Sequence, residues 1–213
     1  MSSTPRPTVR LPRLYPIVVP SRIGSGTLQE ICHFARELIA GGATLIQLRE
    51  KHASAQEILR LGRELRRILP NNVSLIINDR ADLAIAVQAD GVHVGQDDVP
   101  PENARRIIGP QRTLGISTHM PSQVQAANQT SADYLAIGPV FTTTSKTNPD
   151  PAIGLEGIRE ARLRTQKLLV AIGGVTLQNC RSVIDAGADS VAVISELLAE
   201  PRKTTAQFLL QLR

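Results

Sequence analysis

Eight short apolar runs punctuate the chain, each followed by a longer stretch in which apolar and charged residues alternate at helical spacing. The runs are Leu14–Val18, Thr44–Leu48, Ser74–Ile77, Gly91–Val94, Thr113–Ile116, Tyr134–Ile137, Leu168–Ile172 and Ser190–Ile194. A strand that is apolar almost throughout has no face to show to water, so such runs belong in a parallel sheet covered by helices. The stretches between them carry helix signals. In "TLQEICHFARELIAG" Thr27 is an N-cap, Glu30 completes a capping box and Gly41 closes the helix, while "SAQEILRLGRELRRIL" is amphipathic at helical period. The pieces "AGGA", "QADG" and "DAGADS" place Gly or Asp between a helix end and the next strand, as short connections require. Eight such units in 213 residues, without a second zone of composition, predict an α/β protein, a single closed (β/α)8 barrel. An open doubly wound sheet is the alternative. The barrel is expected over 14–213, preceded by a tail over 1–13, "MSSTPRPTVRLPR", in which no order is expected.

Composition narrows the function. An apolar content of 42% is enough for a substantial core, and no run approaches the ~18 apolar residues that cross a bilayer. The opening segment lacks the apolar centre of a signal peptide, so the expected location is cytoplasmic. Cys32 and Cys180 stand far apart and form no CxxC pair, which reads as two buried apolar side chains. A net charge of +5 suits an anionic ligand, yet the Arg residues are scattered, and three Phe, two Tyr and no Trp leave little for stacking on bases. No nucleic-acid or membrane partner is expected. There is no Ser-His-Asp order and no HExxH helix, and "IGSGT" is too early and too incomplete for a dinucleotide fingerprint.

In a barrel of this kind ligands lie at the C-terminal ends of the strands, so the residues after each run are the ones to inspect. They include "QLREK", "NDR", "HVGQDD", "STH", "GPVFTTTSK", "GG" and "SE". Asp79 and Asp98 follow consecutive strands whose axes lie about 5 Å apart, so both carboxylates can reach one point, as magnesium would require. The competing reading is that Asp79 caps the helix starting near Arg80, and Asp97 or Asp98 the one near Pro100. Arg49, Lys51 and Lys146 fall on the same rim, and a diphosphate bound through Mg2+ would balance three cations against two carboxylates. A second anion site is expected where Gly173 and Gly174 meet the short helix after the eighth strand, with the hydroxyls of Thr143 and Ser145. The long polar loop "GPVFTTTSKTNPDPAIG" reads as a lid with Lys146 at its tip. His93 and His119 stand where an acid or base could act, or are buried and satisfied by backbone.

From Leu14 onwards the chain resembles the thiamine phosphate synthase family. The likeness runs in order through "GGATLIQLREK", "INDRADLAIAVQADGVHVGQDD", "DYLAIGPVF" and "AIGGVT". It implies a barrel enzyme that transfers an aminopyrimidine methyl group from its diphosphate to the nitrogen of a thiazole phosphate, with magnesium and without a protein nucleophile. The C–O bond would break first. By matching position, Gln47, Arg49 and Lys51 would hold the pyrimidine diphosphate with Asn78, Ser117 and Lys146, and Arg49, Lys51, Lys146 and Ser117 would be the catalytic set. Asp79 and Asp98 would be the magnesium ligands. Thr143, Ser145, Gly174, Ile194 and Ser195 would hold the thiazole phosphate, and His93 and Tyr134 would lie near the pyrimidine. Partners would be small-molecule substrates, with a homo-oligomer left open. Thr142 stands where the family often has Pro, Ser145 where it usually has Thr, and "LYPIVVPSR" lacks an acidic residue common after the first strand. The competing functions are a thiazole tautomerase of the same barrel family, using His119, and a barrel that binds phosphate ligands without turnover.

Overall fold

A computed structural model describes residues 11–143 and 150–213. Eight parallel strands close into a barrel in chain order: β1 (Leu14–Val18), β2 (Leu45–Leu48), β3 (Ser74–Asn78), β4 (Gly91–Val94), β5 (Thr113–Thr118), β6 (Tyr134–Ile137), β7 (Leu168–Ile172) and β8 (Ser190–Val193). Pairing of Leu14 with Val191 and of Pro16 with Val193 joins β1 to β8, which rules out the open sheet. The helices α1 (Leu28–Ala40), α2 (Ala55–Ile68), α3 (Ala81–Ala86), α4 (Pro101–Ile108), α5 (Pro121–Asn128), α6 (Gly154–Arg164), α7 (Cys180–Asp185) and α8 (Pro201–Gln211) follow the strands in turn. Among the described residues no helix is long and apolar enough to cross a membrane.

Local chemistry sets these boundaries. Thr27 accepts from the Glu30 amide while the Glu30 carboxylate accepts from the Thr27 amide, closing the capping box at the start of α1. Ser54 does the same single duty for α2 by accepting from the Glu57 amide at 3.2 Å. Along each strand, alternate residues turn to opposite faces. Leu14 and Val18 of β1 join the layer between barrel and helices, with Leu38, Leu61, Leu65 and Phe208, whereas Tyr15 and Ile17 point inwards with Leu45, Ile76, Tyr134 and Val170. Both cysteines are buried and free.

The N-terminal ends of the strands are tied by a repeated device. Asp90, Asp133 and Asp189 each follow an Ala and immediately precede β4, β6 and β8. In each case one carboxylate oxygen accepts from the backbone N–H of the preceding strand and from an Arg of the helix two units back. Asp90 accepts from Leu75 (2.7 Å) and Arg66 (2.8 Å), Asp133 from Leu114 (2.7 Å) and Arg105 (2.6 Å), and Asp189 from Leu169 (2.8 Å) and Arg162 (2.9 Å). The same guanidinium groups also donate to nearby carbonyls, as Arg105 does to Gly109 and Arg112, so the charge is met by several acceptors at once. In the remaining quarter, before β2, the corresponding pair is Ala43 and Thr44.

Candidate active site

A cavity of about 750 Å³ opens at the C-terminal end of the barrel. Gln47, Arg49, Lys51, Asn78, Asp79, His93, Asp98, Ser117, Tyr134, Thr143, Gly174, Ile194 and Ser195 all line it, and so does His119. Thus residues drawn from seven strand ends meet in one space. Ser145 and Lys146, expected beside them, lie outside the described residues.

The carboxylates do not cap helices. The N-cap of α3 is Arg80 and that of α4 is Pro100, and neither helix has a side-chain cap. Arg80 instead pairs with Asp82 at 2.6 Å. Asp98 is turned back by the Gly95 amide, which donates to its Oδ2 at 2.7 Å, and Asp97 is exposed. Asp79 takes a positive φ of 62°, a conformation that Asp tolerates better than most residues, and its amide donates to the His93 carbonyl at 2.7 Å. This bend carries its carboxylate against that of Asp98. Burial pushes the Asp79 carboxyl up to about 6, the hydrogen bond shared with Asp98 adds to the rise, and Lys51 and Arg49 oppose it. Lys51 Nζ lies 3.6 Å from Asp79 Oδ2. Arg49 is half-buried, and desolvation lowers its affinity for its proton more than Asp79 and Glu50 raise it.

Two carboxylates in contact at neutral pH need a shared proton or a cation between them. The donors are oxygens, and among the described residues no third His, Cys, Asp or Glu joins them. That set fits magnesium, which takes one or two carboxylates and fills its remaining positions with water and substrate oxygens, and does not fit zinc.

The floor of the cavity is a polar cluster inside an otherwise apolar barrel. Tyr15 and Tyr134, the chain's two tyrosines, meet with hydroxyls 2.7 Å apart. Gln47 donates to Tyr15 at 3.0 Å, and His93 lies between the Tyr134 hydroxyl (3.0 Å) and Ser117 Oγ (2.9 Å). Among the described residues both ring nitrogens of His93 therefore meet side chains, where one sequence reading has the ring satisfied by backbone. His119 does meet backbone: its Nδ1 is 2.6 Å from the Gly138 carbonyl oxygen, with Asp150 Oδ2 at 3.5 Å.

On the opposite wall, Gly173 and Gly174 have φ of 98° and 65°. A Cβ at Gly174 would fall 2.6 Å from the Thr142 carbonyl oxygen, and one at Gly173 would fall 2.6 Å from Pro139 Cβ. Both the turn and the close approach of the segment after β6 therefore demand glycine. Ile194 follows β8 and Ser195 opens a short 3-10 helix, Ser195–Leu197.

Three residues escaped sequence reasoning. Arg22, in the connection after β1, donates to Ser195 Oγ at 3.2 Å, and Gln96 donates from its side chain to the Ser117 carbonyl. Tyr15 reads as one more apolar strand residue. Applying the strand-end rule to β1 would have found Arg22; nothing local marks Tyr15.

The model of the family described as thiamine monophosphate synthase matches residues 14–197. The chain is 57% identical over 202 residues to the thiamine-phosphate synthase of Koribacter versatilis (strain Ellin345), covering 94% of this chain and 96% of that protein. It is 42% identical over 183 residues to the thiamine-phosphate synthase of Moorella thermoacetica, covering 85% and 86%. Among solved structures, thiamine phosphate pyrophosphorylase from Pyrococcus furiosus superposes with a TM-score of 0.82 at 33% identity, covering 94% of this chain and 95% of that one.

Proposed function

The chain belongs to the thiamine monophosphate synthase family, a family of transferases, and from that premise we propose how its rim residues divide the work. The reaction joins an aminopyrimidine methyl diphosphate to a thiazole phosphate and releases diphosphate. One observation supports this reading above the others. The cavity sets an acidic pair with Arg49 and Lys51 against one wall and the Gly173–Gly174 turn with Ser195 against another, an arrangement that suits a metal-bound diphosphate on the first and a phosphate monoester on the second.

The aminopyrimidine lies on the cavity floor, oriented by Gln47 and packed beside His93 and Tyr134. Its diphosphate extends to Arg49, Lys51, Asn78 and Ser117, joined by Lys146. Arg49 offers a two-pronged donor and Lys51 a point charge to phosphate oxygens. Asp79 and Asp98 hold magnesium, which when bound screens the charge of the diphosphate. Gly174, Ile194 and Ser195, with Thr143 and Ser145, hold the thiazole phosphate, and Arg22 fixes the Ser195 hydroxyl while adding positive charge. As the C–O bond breaks, charge grows on the leaving diphosphate, where Arg49, Lys51 and Ser117 stabilise it. The thiazole nitrogen, held in line, then attacks the freed methylene carbon. Nothing in this scheme calls for a protein nucleophile. Small soluble substrates suit a cytoplasmic location.

An endpoint assay with both substrates and magnesium, with and without EDTA, tests the reading. Thiamine phosphate that forms with magnesium and disappears with EDTA is expected. No product from folded protein that binds both ligands would overturn it and favour a tautomerase or a non-catalytic barrel.

A further inference from the structure

The polar cluster on the cavity floor is one unbroken chain of hydrogen bonds, Gln47–Tyr15–Tyr134–His93–Ser117, running from the barrel centre to the rim. Distances alone leave its direction open, because either tyrosine can donate to the other and either imidazole nitrogen can hold the proton. The end of the chain decides it. Tyr15 Oη accepts from the Gln47 amide at 3.0 Å, and among the described residues Tyr134 is its one other partner. Tyr15 is only 1% exposed. With the Gln47 amide so oriented, its single proton goes to Tyr134, since the opposite direction would leave a buried hydroxyl proton with no acceptor among the described residues.

Every later link follows. Tyr134, accepting from Tyr15, gives its own proton to His93 Nδ1. The imidazole proton then resides on Nε2 and is donated to Ser117 Oγ, 2.9 Å away. Ser117 lines the cavity, and its carbonyl is held by Gln96, so its hydroxyl proton is left to point at whatever occupies the space above. We infer that this chain polarises Ser117 as a hydrogen-bond donor towards the leaving diphosphate, and that Tyr15 and Tyr134 are positioning residues that act through His93. Ser117 in the reverse polarity would give its proton to His93 and face the diphosphate with lone pairs, opposing the charge that develops there.

Packing holds the chain in place. Tyr134 stacks on His93 with ring centroids 5.5 Å apart and planes inclined by 26°. Its partner across β5 is Gly115, and a Cβ there would fall 2.1 Å from Tyr134 Cζ. Glycine at that position is what lets the ring cross the neighbouring strand and bring its hydroxyl to the barrel axis. The inference rests on the proposed loss of diphosphate for its purpose, though not for its geometry.

The geometry is tested on the wild-type protein by nitrogen-15 spectra of its four histidines, with His93 assigned through His93→Asn. A bare Nδ1 and a protonated Nε2 are expected at His93; an Nδ1–H form overturns the inference whatever the activity. The purpose is tested by a double-mutant cycle in the thiamine phosphate assay. Tyr134→Phe should lower kcat about tenfold with KM for the pyrimidine diphosphate within about twofold, and should cost less than about twofold in a Ser117→Ala background. Equal losses in the two backgrounds, or a loss confined to KM, would show that Tyr134 does not act through Ser117. Absence of product from the wild type counts against the proposed reaction and leaves the spectra to judge the chain.

Discussion

The two ends of the barrel treat aspartate in opposite ways. At the N-terminal end, Asp90, Asp133 and Asp189 each meet one guanidinium and one strand N–H, and the charges cancel within the protein. At the C-terminal end, Asp79 meets Asp98, and the nearest cation among the described residues, Lys51 Nζ, stands 3.6 Å away on a half-exposed side chain. The first arrangement is complete without a ligand and holds strands together. The second is left unbalanced and becomes favourable only when something else arrives. The same residue type therefore serves stability at one end and chemistry at the other.

The sharpest way to break that contrast is to remove one carboxylate from each end. Asp98→Ala should lower kcat/KM by about a hundredfold or more, because the diphosphate loses a metal ligand where charge develops. Its melting temperature should hold steady or rise slightly, since a like charge has been removed from beside Asp79. A thiazole tautomerase would be nearly indifferent to this change. Activity retained within about threefold would sink the assignment of the pair as a metal site.

Asp133→Ala should do the reverse. Arg105 and Asp133 are the most buried of the three pairs, with side-chain exposures of 9% and 12%. Removing the carboxylate strands a buried guanidinium and an amide, at a cost of about 3 kcal/mol, while kcat stays near wild type because the site lies at the other end. Asp90→Ala should cost less, as its side chain is 46% exposed and water can replace it. Chemical denaturation compared with steady-state rates would separate the two effects.

A smaller effect sharpens the comparison through pH. Asp79 holds its proton up to about pH 6 in the folded, metal-free protein, against an ordinary value of 3.8. A raised acid pKa means that the folded state binds more protons than the unfolded state between those values. The contribution is thus fully present below pH 3.8 and is lost as pH rises through about 6. Magnesium competes with that proton, so the rise in melting temperature on adding millimolar magnesium should be small at pH 5 and reach its full size above pH 7. Equal shifts at both values would show that the ion binds elsewhere. At the N-terminal end no comparable response to magnesium is expected.

Much of this was legible in the sequence, for reasons that differ by residue. The strands could be read because a doubly buried strand is apolar throughout, and "VSLII" or "DYLAI" allows little else. Closure was read from the count of eight units, with the open sheet as the alternative, and the contact that decides between them is β1 meeting β8 across almost the whole chain. The rim residues were picked by a positional rule, that ligands sit after strands, and those that fall among the described residues line one cavity, while Ser145 and Lys146 lie outside them. Whether Asp79 capped a helix was undecidable, because its positive φ leaves no trace in the local pattern. Tyr15 was invisible for a related reason. Its role depends on a hydroxyl contact with Tyr134, 119 residues away, and on the missing side chain of Gly115.

The smallest expected effect concerns the quarter of the barrel that lacks the aspartate device. Before β2 the place of Asp90, Asp133 and Asp189 is taken by the exposed Thr44, and on the facing helix Leu209 packs its Cδ1 within 2.8 Å of where a Cβ on Gly42 would lie. An apolar side chain of α8 therefore stands beside this connection, where the other quarters use Arg and Asp. Thr44→Asp places a carboxylate at the repeat position without supplying a guanidinium, since Arg202, on the same helix, is paired with Glu37 at 2.8 Å. Stability should change by no more than about 0.5 kcal/mol, as for a solvated surface substitution. A gain above about 1 kcal/mol would mean that the strand N–H alone, and not the guanidinium, is the part of the device that matters; the contrast between the two ends would then rest on backbone geometry and not on charge.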